Sequence, residues 1–167
     1  MESQLSQSAA AEKIQEYDKE ANIKLKKILV PLDGSDCSMR AAQYAIELAK
    51  LQKAQIVCIH ILDRMPYGFE FSGSCIEDYL QSVENQSNVW FNKVIKMAES
   101  QGIKDVKAVF FRDIRSIVDT IVNYASNNSI DLIVIGTRGR TGIQKVLMGS
   151  VASGVSQHAH CPVMLIK

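Results

Sequence analysis

Five short apolar runs, many of their side chains β-branched, recur along the chain. They span residues 27–32, 55–62, 106–111, 132–135 and 162–166. Runs of this length and composition are typical of strands that are buried on both faces of a sheet. The 106–111 run alternates apolar and polar residues at its start, which favours a strand near an edge of the sheet.

Amphipathic stretches separate these runs. Apolar residues recur there at the spacing of a helix, which predicts helices over residues 38–51, 75–101, 114–127 and about 149–158. Aromatic residues in the second helix are more typical of a core than of a base-stacking surface. Because strands alternate with helices, we predict an α/β fold: a single-domain, Rossmann-like, doubly wound sheet of five parallel strands with helices on both faces.

The first part of the chain differs in composition from the rest. Residues 1–26 are rich in Ser, Gln, Ala and Glu, and they contain no glycine or proline. Ile14, Tyr17 and Ala21 are spaced for one weak amphipathic helix, and otherwise the segment is typical of a flexible extension. We predict a polar extension at residues 1–26, free or packed on a partner subunit, ahead of a domain at residues 27–167.

Composition and charge describe an ordinary globular protein. Of the 167 residues, 47% are hydrophobic and 22% are charged, and 19 Lys and Arg balance 18 Asp and Glu to a net charge of +1. This balance provides no overall field toward nucleic acid or an anionic membrane, so we predict neither as a partner. No apolar run approaches a bilayer span, and residues 1–11 do not resemble a signal peptide, which predicts a cytoplasmic location.

Cysteine and histidine spacing gives little sign of metal or disulfide chemistry. The four cysteines form no C-x-x-C pair, which favours reduced thiols. The sequence His158-Ala159-His160-Cys161 directly precedes the last predicted strand without a second ligand cluster, so we interpret it as a helix end and loop. His60 interrupts a predicted buried strand and is interpreted as a hydrogen-bonded core residue. No metal ligand is predicted among the protein's own residues.

A glycine-rich stretch follows the fourth predicted strand. Residues 131–150 read DLIVIGTRGRTGIQKVLMGS, with Gly136 directly after the apolar run and Gly149-Ser150 before the last predicted helix. Glycine allows a bulky anion to approach the backbone, and a helix start presents unpaired N–H groups and a positive dipole end. The stretch therefore has the parts of a phosphate-binding site, to which Arg138, Arg140 and Lys145 add positive charge. Its spacing fits neither the dinucleotide fingerprint nor a Walker A loop.

Two other strand ends are expected to lie beside this stretch. Asp33 follows the first strand, and in a parallel α/β sheet ligands bind beyond the carboxyl ends of the strands. Its carboxylate either binds a ribose, an amino group or a metal–phosphate complex, or it shapes the turn and caps the next helix with Ser35. Ile61 ends the second strand, where its backbone is placed to meet an adenine edge. Residues 63–74 are long enough for a flap over a ligand, or are a plain connection.

The chain resembles the universal stress protein family in its ATP-binding branch. The resemblance rests on the signature G-x2-G-x9-G-[ST], and on VPLDGS at residues 30–35, HILD at 60–63, IGTRGRTG at 135–142, GSVA at 149–152 and CPVMLIK at 161–167. It covers roughly residues 25–167. The resemblance implies the strand order 3-2-1-4-5, a homodimer through the last strands at residues 162–166, and ATP or AMP, with Mg²⁺ or Mn²⁺ as a secondary expectation.

The resemblance also assigns residue roles. It implies that Pro31 and Asp33 contact the nucleoside and Ile61 the adenine. It further implies that ribose and phosphates are held by Gly136, Arg138, Gly139, Gly149, Ser150 and Val151. The chain departs from the family pattern at Arg112-Asp113-Ile114, where a small, stiff turn is common. Arg112 either meets a ligand there or is a solvated charge.

Three functional hypotheses remain open at this stage. The first is an ATP-binding regulatory protein of the stress response, a nucleotide-dependent dimeric switch read by an unknown protein partner. The second is a slow metal-dependent ATPase that uses Asp33, although no catalytic triad or phosphoryl-transfer lysine has a recognisable motif. The third is a dimeric interaction module that binds no nucleotide. We predict no dedicated catalytic residue, and the choice among ATP, AMP and a cyclic dinucleotide stays open.

Overall fold

The five predicted strands form one parallel sheet. The computed structural model describes residues 24–62, 73–112, 116–140 and 148–167. Its strands are β1 (Lys27–Pro31), β2 (Gln55–Ile61), β3 (Val106–Phe111), β4 (Leu132–Gly136) and β5 (Val163–Ile166). They are ordered β3-β2-β1-β4-β5, and each neighbouring pair is parallel. The predicted fold class and strand order are confirmed.

Four helices connect the strands: α1 (Asp36–Gln52), α2 (Gly73–Ser100), α3 (Ile117–Asn127) and α4 (Ser150–His158). α1 begins two residues before the predicted start, because Ser35 is its N-cap and accepts a hydrogen bond from the backbone N–H of Ser38 at 3.2 Å. α3 begins three residues later than predicted, at the cap Ser116, and residues 113–115 lie outside the described range.

The helices cover both faces of the sheet, as predicted. Side chains alternate along β1, so Ile28 and Val30 face α1 and α2 while Leu29 faces α3 and α4. All three side chains are completely buried. The helices that follow β1 and β4 therefore lie on opposite faces, and the position between these two neighbouring strands is the topological switch point of the sheet.

α1 packs closely on the sheet through small residues. Ala41, Ala42, Ala45 and Ala49 are buried along one side of the helix. At its N-terminal turn, a Cβ atom added to Gly136 would lie 2.8 Å from the backbone carbonyl carbon of Cys37. Since backbone atoms cannot rotate out of the way, glycine at the end of β4 allows α1 to approach the sheet at this point.

β3 and β5 form the two edges of the sheet, and β3 is tied to α2 at its carboxyl end. The Arg112 guanidinium pairs with Glu84 at 2.7 Å and with Glu77 at 3.5 Å. Arg112 is thus an exposed side chain bound to carboxylates, which favours the surface interpretation over contact with a ligand. On the other edge, Leu165 of β5 is 38% exposed.

The described cysteines are free thiols. Cys37 and Cys58 are buried, Cys161 is half-buried, and burial raises the pKa of Cys58 to about 12. In the described part of the chain, no group of three His, Cys, Asp or Glu side chains is arranged to hold a metal ion. None of the described helices has the length and apolarity of a membrane span.

Candidate functional site

The turn after β1 is organised by Asp33. Its Oδ1 accepts hydrogen bonds from the backbone N–H of Ser35 at 3.0 Å and from Ser35 Oγ at 2.6 Å. Gly34 between them has φ +78°, a left-handed conformation that favours glycine. Asp33 and Ser35 therefore do shape the turn and cap α1, as one of the two sequence interpretations holds.

The same carboxylate also meets the glycine-rich stretch. The backbone N–H of Arg140 donates to Asp33 Oδ2 at 3.2 Å, and Arg138 O lies 3.3 Å from Ser35 Oγ. Gly139 lies so close that an added Cβ would be 2.7 Å from Asp33 Oδ2. The structure thus brings Asp33, Arg138 and Gly139 together across the switch point, although they are more than one hundred residues apart.

The start of α4 completes this edge of the sheet. Gly149 is the N-cap residue, and its N–H donates to Thr137 O at 2.8 Å. Among the residues that the structure describes, no side chain caps this helix, and its first bond runs from Ser153 N–H to Gly149 O. The N–H groups of Ser150 and Val151 therefore point out of the helix start, where the dipole is positive.

The remaining predicted residues have supporting positions. Pro31 ends β1 opposite Ile59, and the Ile61 side chain is buried against α3 and α4, so only the Ile61 backbone can face the crevice. Gly136 is wedged against the first turn of α1. Lys145 and most of the predicted flap, residues 63–72, lie outside the described residues.

Two residues that the sequence pattern assigns to the core lie beside the Asp33 turn. The His60 Nδ1–H donates to Leu32 O at 2.6 Å, because the carbonyl oxygen can only accept. The imidazole stacks on Phe110 and meets Trp90 edge-on, with centroids 5.8 and 5.1 Å apart. His60 is the hydrogen-bonded buried histidine that its strand position predicts. Helical spacing alone does not distinguish Trp90 from its core neighbour Phe91.

The environment of His60 disfavours its charged form. Burial lowers the pKa of His60, and the nearby Arg140 charge lowers it further, while the Leu32 carbonyl and Asp33 oppose this shift. The net direction is downward, so the neutral imidazole that bonds Leu32 is the form that the fold stabilises.

We expect His60 to make folding stability dependent on pH. Its folded pKa lies below its unfolded value of about 6.5, so its contribution is fully present above that value and is lost as pH falls toward the folded pKa. Urea unfolding of the wild type should therefore give a lower free energy at about pH 5 than at about pH 7. His60→Gln, which can still donate to Leu32, should reduce this slope, and exposed His160→Gln should leave it unchanged. Equal slopes for wild type and His60→Gln would contradict the prediction.

A cavity elsewhere in the molecule is separate from this site. It measures about 340 Å³ and lies at the amino ends of the strands, at the opposite edge of the sheet from Asp33. Its lining includes Lys24, Lys26, Lys27 and Lys53 together with Asp105. None of the predicted site residues contributes to this cavity.

Fold and site together define a doubly wound α/β protein with a glycine-lined crevice at the switch point between β1 and β4. The chain belongs to the universal stress protein family, whose sequence profile matches residues 24–167. Universal stress protein MJ0531 of Methanocaldococcus jannaschii is 38% identical over 143 residues, which cover 85% of this chain and 82% of that relative.

Solved structures of family members share the fold. The universal stress protein UspA from Lactobacillus plantarum superposes with a TM-score of 0.79 at 26% identity, covering 87% of this chain and 100% of that one. The universal stress protein from Archaeoglobus fulgidus, solved in complex with dAMP, superposes with a TM-score of 0.60 at 25% identity, covering 87% of this chain and 100% of that one.

Proposed function

We propose that this protein binds an adenine nucleotide in the crevice between the carboxyl ends of β1 and β4. The observation that carries the proposal is the meeting of Asp33 with Gly139 and the Arg140 N–H across the switch point. In doubly wound sheets this is the position where ligands bind. α4 follows β4 along the chain, and its first turn has no side-chain cap among the described residues. Such a helix start suits a phosphate group.

The Archaeoglobus fulgidus relative supports the class of ligand, because its structure contains dAMP. We propose ATP or AMP as the physiological ligand. Asp33 and Pro31 are assigned to the nucleoside and the Ile61 backbone to the adenine. Ribose and phosphates are assigned to Gly136, Arg138, Gly139, Gly149, Ser150 and Val151.

The donors of the crevice fit an anionic ligand better than a free metal ion. Backbone N–H groups at the start of α4 are donors, and the Asp33 carboxylate meets the Arg140 N–H of the glycine-rich stretch. Mg²⁺ usually takes one or two carboxylates and completes its coordination with substrate phosphates and water. Any Mg²⁺ or Mn²⁺ is therefore proposed to enter with the phosphates, with Asp33 as its nearest protein ligand.

The regulatory role is proposed at the level of the dimer. β5 is an edge strand, and its Leu165 side chain is partly exposed, so a second copy can pair with it and bury that side chain. We propose a cytoplasmic homodimer of the domain at residues 27–167, in which bound nucleotide favours one surface for an unknown protein partner. Such a switch requires two conformations of the dimer, and the nucleotide shifts the equilibrium between them only if it binds the two with different affinity.

Native mass spectrometry of the purified protein tests ligand and assembly together. The protein is measured first without added nucleotide and then with ATP or AMP, each with and without Mg²⁺. We expect a species of about twice 18.5 kDa that carries or takes up adenine nucleotide. A protein that neither carries nor takes up nucleotide would leave the interaction module as the better hypothesis. In a separate phosphate-release assay, continuous release from ATP would favour the ATPase hypothesis.

A further inference from the structure

The Trp90 indole covers the turn that holds Asp33. A Cβ atom added to Gly34 would overlap the indole ring, so ring and turn are in direct contact. The opposite end of that turn is held by His60, which bonds Leu32 O and meets the edge of the same indole. One side chain from α2 thus packs against the backbone on which the candidate site is built.

The same indole also contacts the glycine-rich stretch. The Arg140 guanidinium lies over the Trp90 ring, with its Cζ 5.9 Å from the ring centroid, within the range of a cation–π interaction. The backbone N–H of Arg140 donates to Asp33 Oδ2. Arg140 is therefore held at both ends, by Trp90 through its side chain and by Asp33 through its backbone.

The position of α2 favours an indirect role for this pair. α2 packs on the sheet face that carries α1, whereas α4 packs on the opposite face. The Arg140 guanidinium, which lies on Trp90, is thus on the α2 side of the sheet. The proposed phosphate site at the start of α4 is on the other side. In this arrangement Arg140 acts on the crevice through its backbone N–H and the Asp33 carboxylate.

We propose that Trp90 is a positioning residue of the candidate site. Its indole holds the Arg140 side chain and thereby keeps residues 138–140 against Asp33. The inference rests on the proposed function for its effect on affinity, but the fastening itself is a property of the protein without ligand. Trp90 lies outside every motif that carries the family resemblance.

The fastening is tested first without nucleotide, by measuring the protection of the residue-140 amide against exchange with water by NMR. Arg140→Met keeps much of the side-chain length but removes the charge. It should lower the protection about two- to five-fold, which corresponds to the interaction energy of an exposed cation–π pair. Trp90→Leu should do the same, whereas Arg140→Lys and Trp90→Phe should retain most of it. Unchanged protection in Arg140→Met would overturn the proposal, even if Trp90→Leu fails to fold.

The second measurement compares adenosine with ATP by calorimetric titration of the same variants. A positioning role acts through Asp33, so Arg140→Met should weaken both ligands by the same factor, about two- to five-fold. Loss of ATP affinity with adenosine unaffected would overturn the positioning role and indicate direct phosphate contact. If the wild type binds neither ligand, the proposed function fails, while the amide protection still decides whether Trp90 holds Arg140.

Discussion

Gly139→Ala is expected to weaken nucleotide binding roughly 10- to 100-fold and to lower folding stability by less, because water can replace the lost partners at this half-buried turn. The added Cβ would lie 2.7 Å from Asp33 Oδ2, so the carboxylate must move. Asp33 is a short side chain at the half-buried end of β1, and its rotation releases the Arg140 N–H and the Ser35 bonds without shifting the core. The stated loss corresponds to one hydrogen bond to a charged group, about 1.5–3 kcal/mol.

Calorimetric titration with ATP and AMP measures this loss, and urea unfolding measures stability in parallel. Gly102→Ala is the control, because Gly102 lies far from the crevice at φ +83°, and no atom of the described residues lies within 4 Å of an added Cβ. It should cost stability through backbone strain and leave affinity unchanged. Wild-type affinity in Gly139→Ala would show that Asp33 does not contact the ligand where we propose.

Gly136→Ala is expected to cause a large loss of folding stability, about 3 kcal/mol. Its Cβ would lie 2.8 Å from the Cys37 carbonyl carbon and 2.9 Å from the Ser38 nitrogen. To remove this overlap, α1 must move away from β4, and this movement disturbs the contacts of the buried alanines between helix and sheet. The position is therefore constrained by packing, whichever ligand the crevice holds.

Gly154→Ala provides the control for Gly136→Ala. Its Cβ would also lie 2.8 Å from the nearest atom, but that atom is Cγ2 of the Val118 side chain. A side chain can adjust, and alanine within α4 gains about 1 kcal/mol of helix propensity over glycine, so the net change should be small. Thermal unfolding should therefore give midpoint temperatures for the two variants that differ by several degrees. Equal midpoints would contradict the packing argument.

Much of the fold follows from the sequence because its period and composition are local properties. Residues 28–32 and 132–135 are apolar throughout, as a strand covered on both faces requires, and the strand order follows from the family resemblance. Helix starts were less predictable, since a cap depends on one side-chain bond. Ser35 places the start of α1 at Asp36, ahead of the apolar pattern that begins near Ser38.

The candidate site was predictable only in part. Asp33 and Gly139 are placed by their positions after strands whose carboxyl ends share one edge. The contact of Trp90 with Gly34 and Arg140 depends instead on the rotation of α2 about its own axis, which sets the neighbours of each side chain. Periodicity shows which side of a helix is apolar, but it does not show which turn of another segment that side meets.

α2 is much longer than α1, and this difference has a mechanical consequence. Near its C-terminus α2 is tied to α1 by the Lys50–Gln101 hydrogen bond, and Trp90 rests on the Asp33 turn. From Trp90 back to Gly73 the helix runs on for roughly 25 Å, at 1.5 Å per residue. A tilt of about 5° around Trp90 moves that far end by roughly 2 Å, a shift several times larger than any at the pivot. Because Arg112 pairs with Glu77 and Glu84 on this longer part of the helix, such a tilt would move the carboxyl end of β3 while Trp90, the pivot, stays on the Asp33 turn.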